Sequence, residues 1–152
     1  MTHKKPALGP VETVAARVKV VRRHRGLTAA QLAEQMQAVG VDWNRNIVAN
    51  LENGRRGSLG VDELFALAIV LEVAPVHLLV PLDDQAGIEV TRGRVEEARR
   101  VRWWIRGDHP LDGIDTRLYF SEVPKDEWGR QPRPVVRAWN AAGGPLPEST
   151  DD

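Results

Sequence analysis

Residues 28–54 read TAAQLAEQMQAVGVDWNRNIVANLENG, two short helical patterns joined by one Gly-containing turn. No other stretch of the chain constrains its fold so tightly. Thr28 and Gln31 have capping-box spacing, in which the hydroxyl accepts from a first-turn N–H and the amide reaches back. Leu27 before the cap and Leu32 after it are spaced as a hydrophobic staple. Leu32, Met36 and Val39 continue as the expected buried stripe. Gly40 supplies the left-handed residue that ends a helix, with Val41 as the apolar contact beyond it. The second pattern opens on Asn44 as N-cap, with Trp43 and Val48 placed as another staple. Val48 and Leu51 face inward, which leaves Arg45, Asn46, Ala49 and Asn50 outside. Asn53-Gly54 ends the pattern, since both residue types tolerate positive φ.

The flanks extend a helical reading. A first helix is predicted over residues 12–25, with Val14, Val18 and Val21 on one stripe. Its other face carries Arg17, Lys19, Arg22, Arg23 and Arg25; Arg17, Arg22 and Arg23 read as a solvated face. Residues 1–11 read as a mobile arm. A fourth helix starts near Val61, with Gly60 as N-cap, Glu63 at capping-box spacing and Leu59 with Leu64 as staple. Leu64, Leu67, Ala68 and Leu71 line one side of it, while Phe65, Ile69 and Val70 line much of the other. A helix apolar nearly all round is covered on more than one side, here by the C-terminal segment or a second subunit. Pro75, a favoured first helical residue, opens a short fifth helix that buries Val76, Leu78 and Leu79.

Composition narrows the function. There are no cysteines, which excludes disulfides and thiolate metal sites and points to a reducing compartment. The N-terminus has no apolar run of the secretory kind, and no stretch of about 18 apolar residues exists to span a bilayer. The expectation is a cytoplasmic protein without a membrane partner. Net charge is zero, but residues 1–60 hold ten Lys and Arg against four Asp and Glu, while residues 61–152 hold eleven against seventeen. The basic half is the half with the paired helical patterns, and phosphate neutralisation supplies most non-specific DNA affinity.

Two helices at this spacing form a helix-turn-helix, which lays its second helix in the major groove. The residues Arg25-Gly26-Leu27-Thr28, Leu32-Ala33, Gly40-Val41, Val48, Leu51-Glu52-Asn53-Gly54-Arg55-Arg56, the run LFALAIVLEV over 64–73 and PVHLL over 75–79 carry a closer likeness. Together they resemble the Cro/cI-type helix-turn-helix regulators, the lambda-repressor-like (xenobiotic-response-element type) family. The likeness covers under half the chain. It implies an all-α fold, with a five-helix DNA-binding domain over 12–82 and a smaller, mostly helical and irregular segment behind it. It departs from the family in two ways. Roughly five additional residues lie between Ala33 and Asn44, three of them close to one helical turn. Ala29 stands where the family often has a Gln that touches a phosphate.

The implied function is sequence-specific binding of double-stranded DNA by a homodimeric transcription regulator, a repressor by default. Arg and Asn read guanine and adenine edges in bidentate fashion, at about 1–3 kcal/mol of discrimination per good pair. Arg45, Asn46 and Asn50 are the expected base readers. Thr28, Arg55 and Arg56 are expected nearer the phosphates. Asn44 caps its helix, which leaves a phosphate contact open to it. Asn53 reads equally as a DNA contact or as a residue kept for backbone geometry. Trp43 reads as core rather than as a base-stacking residue.

Other chemistry finds no support. His3, His24, His77 and His109 are not at metal-ligand spacing, and Ser58, Ser121 and Ser149 lack nucleophile-elbow context. No catalytic residue, metal or cofactor is assigned, and the chain reads as a non-enzyme. Beyond residue 82 the pattern weakens. Residues 83–91 read as a linker, 92–106 as a helix and 107–131 as mostly irregular around an apolar patch at Leu118-Tyr119-Phe120. Residues 134–141 read as a last short helix, closing a segment over 92–142. Residues 143–152 read as a disordered tail. Trp103 and Trp104 are adjacent, so they point to different helix faces. The segment is open to a protein partner or a small effector. Two rival readings remain: an antitoxin-type regulator whose C-terminal segment binds a partner protein, and an interaction scaffold that binds no DNA.

Overall fold

A computed structural model describes residues 6–127 of the chain. Two compact units divide the molecule, residues 1–102 and 103–152. The described residues are mostly helical, with one two-stranded antiparallel sheet. The helical class is as expected; the small sheet is an addition that the sequence reading did not include.

The first five helices are α1 (Pro10–His24), α2 (Ala29–Ala38), α3 (Arg45–Glu52), α4 (Val61–Val70) and α5 (Pro75–Leu79). α1 begins two residues ahead of the sequence reading. Pro10 sits at a helix start, where its missing N–H is not needed, and the Glu12 carboxylate accepts from Gly9 N–H at 2.9 Å. The described part of the expected arm is therefore held in the fold: Leu8 bridges Ile88, and its carbonyl accepts from Glu89 N–H at 2.9 Å.

Val14, Val18, Leu32, Met36, Val48, Leu51, Leu67, Leu71 and Leu78 meet in one fully buried cluster drawn from all five helices. Burying each such side chain contributes about 1.5–3 kcal/mol before chain entropy is set against it. α2 ends at Ala38, so Val39 leaves the helical register and is 44% exposed, not part of the buried stripe. Val41 takes over the apolar role, and its N–H reaches back to Met36 O at 3.0 Å. The helix is ten residues long and includes Gln37 and Ala38.

α4 buries Ala66, Leu67 and Ala68, with Leu71 just past its end. Its opposite face stays open. Val61, Phe65 and Ile69 are 67%, 53% and 67% exposed, at the i, i+4, i+8 spacing of one stripe. The cover expected for that side is absent among the described residues. The chain leaves α4 through Glu72, which has φ of 53° although it is not glycine. Arg25 spans this exit, donating from Nε to Leu71 O at 3.0 Å and from Nη2 to Glu72 O at 3.3 Å.

The expected linker over 83–91 is a linker only as far as Ala86. β1 (Gly87–Thr91) and β2 (Arg94–Glu97) then form a hairpin around Arg92-Gly93, with Gly93 at φ of 80°. The pairing slips between Glu89 and Thr91, placing an irregularity at Val90. Ile88 is buried, and β1 packs on α1. β2 runs straight into α6 (Ala98–Ile105), so the helix predicted over 92–106 forms only in its second part. The hairpin takes the first part because Gly93 turns the chain and β-branched Val95 suits a strand.

In the second unit, α7 (Thr116–Ser121) replaces the irregular chain expected around Leu118-Tyr119-Phe120, and a 3-10 turn follows at Lys125–Glu127. Asp115 caps α7, its carboxylate accepting from Arg117 and Leu118 N–H groups. Tyr119 donates its hydroxyl to Trp104 O at 2.8 Å. Trp103 is buried and Trp104 half-buried, as their adjacency requires. The predicted helix over 134–141 and the predicted tail over 143–152 lie outside the described residues.

Candidate nucleic-acid interface

α3 has two unlike sides. Val48 and Leu51 are fully buried, while Arg45, Asn46 and Asn50 are exposed. Asn44 caps the helix as its spacing predicts, its side-chain oxygen accepting from Ile47 N–H at 3.0 Å. Asn44 itself is exposed. Thr28 closes its capping box on Gln31 in both directions, at 3.1 and 2.8 Å, and remains exposed at the start of α2.

The end of α3 is a Schellman closure: Gly54 N–H donates to Leu51 O at 3.0 Å and Arg55 N–H to Asn50 O at 2.9 Å. Only Gly54, with φ of 71°, takes the left-handed conformation. Asn53 has φ of −88°, so backbone geometry does not explain the residue as the sequence suggested. Its side chain is exposed, as is that of Arg55.

Arg56 departs from the sequence reading. It lies in a polar cluster with Glu63 and Trp43 rather than on the open face. Arg56 Nη2 donates to Glu63 Oε1 at 2.6 Å, and the guanidinium carbon stands 5.3 Å from the centre of the Trp43 ring. Trp43 is 2% exposed, a core residue as expected, and its indole N–H donates to the same carboxylate oxygen at 3.0 Å. The second oxygen of Glu63 accepts from Gly60 N–H at 2.8 Å, completing the predicted cap of α4. Burial alone would raise the Glu63 carboxyl. The hydrogen bonds from Arg56, Gly60 and Trp43, with the Arg56 charge, outweigh it and hold the group below the usual carboxylate range. Sequence inspection gave Glu63 its capping role and a favourable place at the helix N-terminus, but neither partner. Tryptophan beside a helix cap with an Arg and a Glu downstream carries no spacing rule that would have joined them.

Two arginines read as solvated are anchors instead. Arg22 grips the Glu52 carboxylate with both Nε and Nη2, and its Nη1 donates to Leu27 O at 2.7 Å. A planar fork on a carboxylate locks orientation as well as distance, which ties α1 to the last residue of α3. Its hydrogen bond to Glu52 raises the Arg22 pKa against the effect of burial. Arg17 donates from Nε to His77 O at 3.0 Å and so joins α1 to α5; burial lowers its pKa. Arg23 is exposed.

The structure thus puts Arg45, Asn46, Asn50, Asn53 and Arg55 on or just past the outer side of one helix. Among the described residues, no three His, Asp or Glu side chains gather into a metal-holding group. No helix among them is long and apolar enough to cross a membrane. Comparison with family models, curated proteins and solved structures matches the chain to none of them.

Proposed function

We propose that the protein is a sequence-specific DNA-binding regulator of the Cro/cI type, with α1–α5 as a lambda-repressor-like domain and α3 as its recognition helix. One observation carries this reading. The outer face of α3 presents Arg45, Asn46 and Asn50 to solvent, while Val48 and Leu51 fix the opposite face in the core. Those side chains have the donors and acceptors that base edges in the major groove require. Thr28, Asn44, Asn53 and Arg55 surround them as polar groups suited to phosphates and sugar. The basic balance of residues 1–60 favours the same partner.

The regulator acts as a homodimer, with two recognition helices about 34 Å apart on one DNA face. The open stripe of Val61, Phe65 and Ile69 favours a partner chain there. Repression by occluding a promoter is the default mode.

Selection of bound duplexes from a randomised library tests the proposal. A two-fold-symmetric consensus is expected, with binding that weakens steeply as salt rises. Arg45→Ala should abolish preference for the consensus over random DNA and leave the melting temperature unchanged. A library that yields no consensus overturns the regulator; a consensus read equally well by Arg45→Ala reassigns the reading residue.

A further inference from the structure

We propose that Glu63 is the positioning residue for α3, gripping the chain on both sides of that helix through Trp43 and Arg56, so that Arg56 acts through the protein and not on a phosphate. The functional half of this inference rests on the DNA-binding reading above; the positioning half stands without it.

α3 is an eight-residue helix, about 12 Å long. Trp43 lies one residue before its cap, and Arg56 lies a few residues past its end. Both converge on one oxygen of Glu63, at 3.0 and 2.6 Å. The second oxygen is held by Gly60 N–H at the start of α4, so the carboxylate cannot turn freely. The approach to α3 is pinned from α2 as well, where Gln37 Nε2 donates to Trp43 O at 2.6 Å. The turn leading into α3 is therefore fastened on two sides. Position matters here because a base edge is read by a side chain only within hydrogen-bond reach, and Arg45 and Asn46 stand directly beyond the fastened turn.

The geometry of Arg56 separates it from Arg55. Arg55 is exposed. The guanidinium of Arg56 donates to Glu63 with one nitrogen and lies over the Trp43 ring, and its Nη1 is buried without a hydrogen bond. A phosphate contact would have to break the ion pair and leave the Glu63 carboxylate uncompensated.

A charge-removal series in the full chain tests this. Arg56→Met keeps a long unbranched chain over Trp43 but leaves Glu63 unpaired. Adding Glu63→Gln removes that stranded charge and keeps one oxygen to accept from Trp43, at the cost of the acceptor for Gly60 N–H. In Arg56→Met, amide exchange at Ile47 and Val48 should quicken, and preference for the selected consensus duplex over random duplex should fall about tenfold. The salt slope of binding should stay as in the parent. The double variant should recover part of the exchange protection and part of the preference, although Glu63 itself touches no DNA. Arg55→Met should instead lower the salt slope by about one, as loss of a phosphate contact does.

The inference is overturned if Ile47 and Val48 exchange as in the parent. It is also overturned if Arg56→Met lowers the salt slope by about one and Glu63→Gln restores nothing. If the parent prefers no duplex, the regulator reading fails while the exchange measurements still decide the positioning role.

Discussion

Residues 10–80 and residues 87–127 reach order by different means. The first region packs five helices on one apolar cluster, and each helix end is closed by backbone N–H groups reaching back three to five residues. The second is made of short pieces, each held by a few bonds: a hairpin against Leu8, an Asp115 cap, a Tyr119 hydroxyl on Trp104 O. Its buried apolar residues, Ile88, Ala98, Val101, Trp103 and Leu111, are scattered along the sequence instead of recurring. Shared burial makes the first region cooperative. Sparser shared burial should let the second lose one piece at a time.

The strongest way to break that contrast is to empty the first core. Leu51→Ala removes a side chain of zero exposure and should cost about 2–5 kcal/mol. Urea unfolding followed by helical signal should show a lower midpoint with one transition. A second transition confined to residues 10–80 would deny cooperativity there.

Ile88→Ala probes the other side. Its loss should sit at the lower end, about 2 kcal/mol, because the residue anchors only a two-stranded hairpin. Hydrogen exchange should quicken at Glu89 and Ala98 and stay slow at Leu51. Equal quickening at Leu51 would merge the two regions into one folding unit.

A smaller effect should appear at Glu72. Its left-handed backbone costs a side-chain-bearing residue about 1–2 kcal/mol, which glycine escapes at some expense in unfolded-chain entropy. Glu72→Gly should therefore stabilise the bundle by about 1 kcal/mol in the same urea experiment. A loss would mean that the Glu72 side chain contributes more than its backbone costs.

The smallest expected effect is in pH. Glu63 has a folded pKa below its unfolded value of about 4.3, so its contribution is complete above that value and is lost as pH falls through the folded one. Stability measured from neutral pH downward should drop in that acid window, and Glu63→Gln should flatten the drop. Identical acid limbs would remove the carboxylate from the stabilising cluster.

Much of the first region was legible because a 3.6-residue period, capping boxes and helix-ending glycines are local signals. Thr28 with Gln31, Asn44, Gly60 with Glu63 and Pro75 each open a helix where the spacing predicts. The outer set Arg45, Asn46 and Asn50 followed from the buried pair Val48 and Leu51. Hidden from such reading were the partners of the arginines. Arg22 meets Glu52 thirty residues on, Arg17 meets the carbonyl of His77, and Arg56 turns to Glu63 and Trp43. An arginine looks the same in sequence whether its fork faces water or a carboxylate.

The hairpin was missed for a related reason. Five-residue β1 and four-residue β2 alternate too briefly to stand out, and β1 is supported by Leu8, far away in sequence. Chain order by itself determined where the helices of residues 10–80 begin and which side of each is apolar, because those depend on neighbours within one or two turns. Tertiary structure alone decided which charged groups pair, that Phe65 and Ile69 stay open, and that Arg55 and Arg56 part ways, because those outcomes depend on groups brought close only when the helices pack.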